Sequence, residues 1–259
     1  MEIKFNSRFK VDLRNGTAEI DTDADLAHAI DINGFAVVDN VVDHATVDAL
    51  LAALAEVDSG ESVSKRQSVY AIRNLLDVVP AVRDLSQSPG LRRYVDAILG
   101  PAAIPVRGIL FDKTPDANWT VPWHQDLSIA VRERVEVAGY GPWSVKAGVP
   151  HVQPPPSILE QMVTIRLHLD DCGNENGPLE VLPGSHRHGR LSEADINTWK
   201  ESGGEVACPV KAGGVVIMRP LILHRSLSAT VPGHRRVVHI EYAAATLPDG
   251  LAWYQTQSD

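Results

Sequence analysis

The chain has 259 residues, 44% of them hydrophobic and 22% charged, with a formal net charge of −9; this is ordinary globular composition, and the acidic balance argues against a nucleic-acid or anionic-membrane surface. All-β units of this length are common as one domain, so a single domain over residues 1–259 is expected. The two cysteines exclude a disulfide framework, no apolar run approaches the ~18 residues of a membrane span, and the opening MEIKFNSRFK lacks the features of a leader, so a cytoplasmic setting is expected.

Residues 1–100 read as a mainly helical entry. After the short apolar stretch GFAVVDNVV, Asp43 is placed to cap a helix through ATVDALLAALAEV. A second helix fits SPGLRRYVDAILG, with Ser88 as cap, Pro89 at the first helical position and Gly100 as the stop. From Pro101 the texture changes. IPVRGILFDK, SILEQMVTIRLHLDD, GPLEVLPG, GGVVIMRPLILH and RRVVHIEYAAA are rich in β-branched residues and bounded by Pro, Gly, Asn or Asp, as strands are. Strands that follow the helices rather than alternate with them predict a sandwich or jelly roll, here over residues 101–245. Residues 132–156, RERVEVAGYGPWSVKAGVPHVQPPP, carry five prolines and three glycines with no clear period. A loop of that length in a compact domain is usually a lid or a disordered segment, and because it follows VPWHQD directly it reads as a lid.

In VPWHQD, His124 and Asp126 are two apart, so on an extended strand they project from one face. Two candidates compete to supply a third ligand: His224 in the strand-like LILHRS, and His186 with His188 in PGSHRHG. The second segment is a turn with no carboxylate, which favours His224. Two histidines and one carboxylate, with His-x-Asp on one strand and the other histidine far along the chain, form the facial triad of non-haem Fe(II) oxygenases. Eleven residues on, Arg235 opens the next strand-like run, and its planar fork suits the far carboxylate of a dicarboxylate such as 2-oxoglutarate. Arg236 is its rival, since neighbours on a strand face opposite sides and spacing does not choose between them.

The stretches GFAVVDN, LFDKTPDANWTVPWHQDL, NENGPLEVLPGSH and RPLILHRSLSATVPGHRR occur in that order, and over about residues 33–245 the sequence resembles the phytanoyl-CoA dioxygenase family of Fe(II)- and 2-oxoglutarate-dependent oxygenases. The resemblance implies a mainly β fold with flanking helices, the double-stranded β-helix, a cupin-like jelly roll. It implies iron on His124, Asp126 and His224, and 2-oxoglutarate on Arg235 with Ser226 and Lys113. It also implies use of O2 to hydroxylate an unactivated C–H bond of a small organic molecule while 2-oxoglutarate is decarboxylated to succinate. Desaturation, epoxidation and rearrangement run on the same iron site in the family. In related halogenases a small residue replaces the carboxylate, so Asp126 speaks for hydroxylation or another oxidation.

One departure from the family is Arg166, where some relatives carry an aromatic residue: it reaches co-substrate or substrate, or pairs with an acid on the outer face. Tyr140, Trp143 and His151 in the lid, with Tyr70 and Arg73 in VYAIRNLL, are the substrate candidates, and Arg132, Arg134 and Lys146 add charge to the lid. His168, His239 and His151 are read as satisfied structural histidines in preference to a role in the site, and His186 is read as holding its turn. The competing function is a metal-holding jelly-roll binding protein without turnover. It would keep the three ligands and need no arginine anchor.

Overall fold

A computed structural model of the chain describes residues 9–13, 16–20, 22–65, 69–248 and 250–255, with side chains described from residue 22 on. The opening MEIKFNSR, part of the stretch read for a leader, lies outside the described residues. In chain order the elements are strands β1 (Phe9–Leu13) and β2 (Gly16–Ile20), helix α1 (Asp23–Asn33), β3 (Phe35–Val38), α2 (His44–Ala55), β4 (Val63–Lys65), β5 (Val69–Ile72), and helices α3 (Leu75–Val78), α4 (Pro80–Ser86) and α5 (Pro89–Leu99). There follow β6 (Ile104–Lys113), β7 (Val121–His124), β8 (Ile129–Ala130), β9 (Trp143–Lys146), β10 (Val149–Val152), α6 (Pro156–Leu159), β11 (Met162–His168), β12 (Leu179–Leu182), α7 (Glu193–Ser202), β13 (Val206–Cys208), β14 (Val215–Met218), β15 (Leu223–Ser226) and β16 (Arg235–Ala243).

The strands form a large sheet ordered β2-β1-β3-β14-β11-β16-β6-β5-β4, a smaller one ordered β13-β12-β15-β7, and a three-stranded piece β8-β10-β9. Antiparallel sheets with crossovers between them make this the double-stranded β-helix. Period-two alternation positions everything that follows. In β11, Val163, Ile165 and Leu167 join Val238, Ile240 and Tyr242 of β16 in one apolar cluster with the helices, including Leu26, Leu50, Leu91 and Tyr94. Each such large side chain contributes about 1.5–3 kcal/mol by burial. The alternate residues, Thr164, Arg166 and His168 of β11 and Arg235, His239 and Glu241 of β16, are equally buried but polar; they lie on the opposite face of the sheet, toward the interior. Phe35, Val216 and Met218 of the large sheet close part of that interior against Leu179, Val181 and Ile222 on the smaller sheet's side.

Helices α2 and α5 fall where the sequence puts them. The Asp43 side chain accepts a hydrogen bond from the Thr46 N–H and caps α2, and Pro89 and Gly100 bracket α5, although the Ser88 side chain makes no capping bond.

Three expectations change. The mainly helical entry over residues 1–100 also carries β1 to β5, all in the large sheet. These strands are three to five residues long, too short to show a period, and β3 is held between β1 and β14, a partner remote in sequence. The run GGVVIMRPLILH is two strands in different sheets, β14 and β15, broken by a turn at Pro220 in which the Ile222 N–H bonds to the Arg219 carbonyl at 3.1 Å. The stretch 132–156 contains a hairpin, β9–β10, with Lys146 opposite Val149. Its two-residue turn has φ of 48° at Ala147 and 77° at Gly148, the left-handed pair that a tight hairpin requires.

Candidate metal and anion site

His124 ends β7 and His224 lies in β15, and the two are direct partners in the strand register. Two remote parts of the chain thus meet side by side, their rings 4.1 Å apart between centroids. Asp126 follows just beyond the strand, fixed by its N–H to the Pro220 carbonyl at 2.9 Å. One carboxylate oxygen lies 3.9 Å from His124 Nε2 and the other 3.7 Å from His224 Nε2. The three donor atoms lie within 4.8 Å of one another.

The tautomers are set from behind. Nδ1 of His124 is 2.8 Å from the Pro122 carbonyl and Nδ1 of His224 is 2.9 Å from that of Ile222. Carbonyls only accept, so each Nδ1 carries the proton and each Nε2 turns a lone pair toward Asp126. Burial pushes the His224 imidazole down to about 3, which keeps it neutral. Burial works to raise the Asp126 carboxyl, but the imidazoles of His224, His239 and His124 and the Arg107 guanidinium outweigh it, holding the group well below the usual carboxylate range. Its buried Oδ2 has no hydrogen-bond partner. Imidazole nitrogen and carboxylate oxygen donors, pre-aimed at one point, are a donor set suited to a divalent transition metal.

The other end of the same cleft is cationic. Arg235 and Lys113 are cross-strand partners between β16 and β6, and both are buried. Like charges in that relation repel unless something lies between them. Here it is Ser226, whose hydroxyl accepts from Lys113 Nζ at 2.8 Å and from Arg235 Nη1 at 2.9 Å, and donates to the Gly177 carbonyl at 3.1 Å. Arg235 also bonds directly to that carbonyl, and Lys113 to the Leu227 carbonyl. Gly177 is at φ 61°, and a Cβ there would collide with the Leu227 carbonyl, so only glycine brings the backbone this close. Arg235 Nε remains buried and unpartnered. Arg236 points the other way, forked onto Asp170 at 2.5 and 2.9 Å.

The cleft, about 590 Å³ with its open mouth included, is lined by His124, Asp126, His224, Ser226, Arg235 and Arg166, and walled by Phe111, Trp119, Val121, Leu179, Arg225 and His239. The phytanoyl-CoA dioxygenase family model matches residues 30–237, a span that holds every one of these cleft residues except His239. The chain belongs to that family.

Among phytanoyl-CoA dioxygenases, the human peroxisomal enzyme is 25% identical over 174 residues, which cover 61% of this chain and 44% of the human protein; the chain spans about half the length of the curated relatives it matches. Among solved structures, AviO1 from Streptomyces viridochromogenes Tue57 is similar with a TM-score of 0.63 and 25% identity, covering 88% of this chain and 97% of AviO1. EctD from S. alaskensis with 2-oxoglutarate and 5-hydroxyectoine gives a TM-score of 0.67 over 93% of this chain and 84% of EctD at 18% identity, a likeness of fold.

Five residues expected near the substrate do not line the cleft, and of these Tyr140 packs, half-buried, on the cluster containing Val152 and Trp253. Trp143 is in β9, with the Arg134 guanidinium 5.5 Å from its ring centroid. His151 is buried in β10, its Nδ1 3.0 Å from the Val149 carbonyl, and burial lowers it to about 4. Tyr70 meets the cleft indirectly, edge-on to Trp119 at 5.7 Å, and Arg73 follows β5, half-buried. His186 lies against Gly34 at the end of α1, its Nε2 3.0 Å from the Asp31 carbonyl. Conversely, Phe111, Trp119 and His239 line the cleft and were not read as cleft residues. For Phe111 and His239 the signal was available: each shares strand parity with a candidate, Lys113 and Arg235.

Proposed function

We propose that the chain is an Fe(II)- and 2-oxoglutarate-dependent dioxygenase that hydroxylates an unactivated C–H bond of a small organic molecule. His124, Asp126 and His224 hold the iron, and Arg235, Ser226 and Lys113 hold the far carboxylate of 2-oxoglutarate. When bound, iron with 2-oxoglutarate and O2 supplies the oxidation, 2-oxoglutarate being decarboxylated to succinate. The observation that carries the reading is the junction of two sites in one cleft: a preset two-nitrogen, one-oxygen donor set at one end and, at the other, the buried Arg235 guanidinium with no side-chain carboxylate partner, backed through Ser226 by Lys113. A passive metal-holding protein needs the first and has no use for the second.

The protein's own part is to fix donors, charge and access. The backbone carbonyls of Pro122 and Ile222 keep both Nε2 atoms free for metal. Arg235 and Lys113 orient a dicarboxylate so that its other end reaches the donors. The His224 side chain is 3% exposed and that of His124 36%, so substrate approaches from the β7 side. There we assign its contacts to Trp119 backed by Tyr70, with Trp143 of the β9–β10 hairpin and Arg73 forming the outer rim and the buried His151 holding the hairpin from within. The two free, buried cysteines, Cys172 and Cys208, support a reducing, cytoplasmic location, and among the described residues no helix is long and apolar enough to cross a membrane. Anaerobic addition of 2-oxoglutarate to the Fe(II)-loaded protein tests the reading: a weak visible charge-transfer band is expected, and its absence from folded, iron-loaded protein would sink the assignment.

A further inference from the structure

The cleft contains one buried cation beyond those just assigned. Arg166 lies in β11, 8% exposed, and enters the cleft from the strand beside β16, where its register partner is His239. It is not paired with an acid on the outer face. Its Nη1 lies 2.8 Å from His239 Nδ1, its guanidinium carbon is 5.8 Å from the Phe111 ring centroid, and its buried Nε has no partner.

The hydrogen bonds behind it have one consistent reading. A guanidinium only donates, so Nδ1 of His239 accepts and the ring proton lies on Nε2. That proton is donated to Glu241 Oε1 at 3.2 Å, and Glu241 is in turn ion-paired with Arg107. Arg107 and Glu241 cancel, and His239 is neutral. The relay therefore holds Arg166 in position without neutralising it. Among the described residues no carboxylate pairs with Arg166, and Arg235 lines the same cleft with the same sign. A buried guanidinium in that state is costly unless an anion meets it.

Charge arithmetic gives the same answer. Without metal, Arg166 and Arg235 at +1 each against Asp126 at −1 leave the cleft net positive, the sign that draws in an anion.

Resting on the reading that this cleft takes 2-oxoglutarate, we propose that Arg166 is a second carboxylate anchor, gripping the metal-proximal carboxylate while Arg235 and Ser226 grip the far one. The cleft is then a two-ended dicarboxylate clamp that binds its co-substrate before, and independently of, the metal. Arg107, Glu241 and His239 are positioning residues for that clamp.

The test is calorimetric titration of 2-oxoglutarate into the full chain stripped of metal, alongside 2-oxopentanoate, which keeps the keto-acid end and lacks the far carboxylate. Metal-free wild type is expected to bind 2-oxoglutarate. Arg166→Met should weaken both ligands by about 10- to 100-fold, the size expected for a lost charge-assisted pair. Arg235→Met should weaken 2-oxoglutarate alone, and Arg166→Lys should recover part of the loss by restoring charge without the fork. His239→Leu should weaken both ligands less than Arg166→Met. If the metal-free wild type binds nothing while the iron-loaded protein still gives the charge-transfer band, the clamp is overturned and the oxygenase reading stands; this arm needs no variant and so does not depend on any variant folding. Equal affinities in wild type and Arg166→Met would overturn it as well. Failure of the iron-loaded protein to bind 2-oxoglutarate would remove the oxygenase reading itself.

Discussion

The two flanks of the cleft are built differently. On the flank formed by β6, β11 and β16, the polar side chains project from strands in the middle of a nine-stranded sheet, and Arg166, His239 and Glu241 each sit between apolar neighbours anchored in the helical core. Arg235, Lys113, Arg166, His239 and Glu241 are each less than 9% exposed and cross-linked by hydrogen bonds. The β8–β10–β9 flank is a three-stranded piece outside the two main sheets, with Val145 at the hairpin 70% exposed. Rigid, buried polar groups suit a ligand that never changes, as proposed for the metal with its co-substrate. A hairpin attached at one side suits the part of the site that must differ between relatives with different substrates.

If this contrast is right, damage to the sheet flank should stop the chemistry, and damage to the hairpin should only redirect it. The largest effect is expected for Asp126→Ala, which removes the one anionic donor: succinate release should fall to background and retained iron should drop, with the far-ultraviolet circular dichroism spectrum unchanged. Activity near wild type would take Asp126 out of the donor set. Next comes Arg235→Ala, which leaves Ser226 and Lys113 in place but deletes the fork. Affinity for 2-oxoglutarate should weaken by about 2–5 kcal/mol with iron affinity unchanged. Arg236→Ala, on the opposite face and paired with Asp170, is the matched control and should leave co-substrate affinity within about twofold.

The same contrast explains what was legible in the sequence. The β half of the chain announced itself because long β-branched strands such as β6 and β16 carry their own punctuation, and their parity places residues on faces. That His124, Asp126 and His224 meet at one place was legible because a metal donor set restricts residue type and the spacing restricts geometry. Choosing Arg235 over Arg236 required knowing which face of β16 meets the helices; Val238, Ile240 and Tyr242 decide it through their packing, a tertiary fact. Arg166 had the same parity problem, since only the pairing of β11 with β16 brings it to His239. The hairpin in 132–156 was missed because an Ala-Gly turn is a weak turn signal and prolines at 142 and 150 obscure the alternation. The entry strands β3, β4 and β5 were missed because short strands derive their stability from neighbours distant in sequence.

Lys113 gives a smaller and pH-dependent effect on the sheet flank. Burial, then the charge of Arg235 across the strand pair, push its ammonium down to about 7. With the folded value below the unfolded ~10.4, the unfolded chain holds the extra proton between them, so the contribution of Lys113 to stability improves as pH rises from about 7 to about 10. Co-substrate binding runs the other way. A bound carboxylate favours the protonated amine, so binding takes up a proton above pH 7 and affinity should fall as pH rises, by at most about tenfold per unit. Lys113→Met should bind more weakly at pH 7 and lose most of this slope; a slope unchanged in the variant would assign the proton to another group.

The smallest effect on co-substrate is expected from the hairpin, and there the contrast is most exposed to failure. Trp143 faces no member of the iron or carboxylate sites; its ring contacts the Arg134 guanidinium and packs on the cluster containing Val152 and Trp253. Its indole Nε1 is buried without a partner, so truncation does not strand a donor that the protein had satisfied. Trp143→Ala should therefore leave 2-oxoglutarate affinity within about twofold and uncoupled succinate release intact, while removing rim surface that a substrate would contact. The measurement is the ratio of succinate formed with and without each candidate substrate, compared between wild type and variant. A changed ratio with unchanged co-substrate affinity places substrate recognition on the hairpin. A collapse of 2-oxoglutarate binding would mean that the two flanks act as one unit and that the division of labour drawn from their burial is wrong.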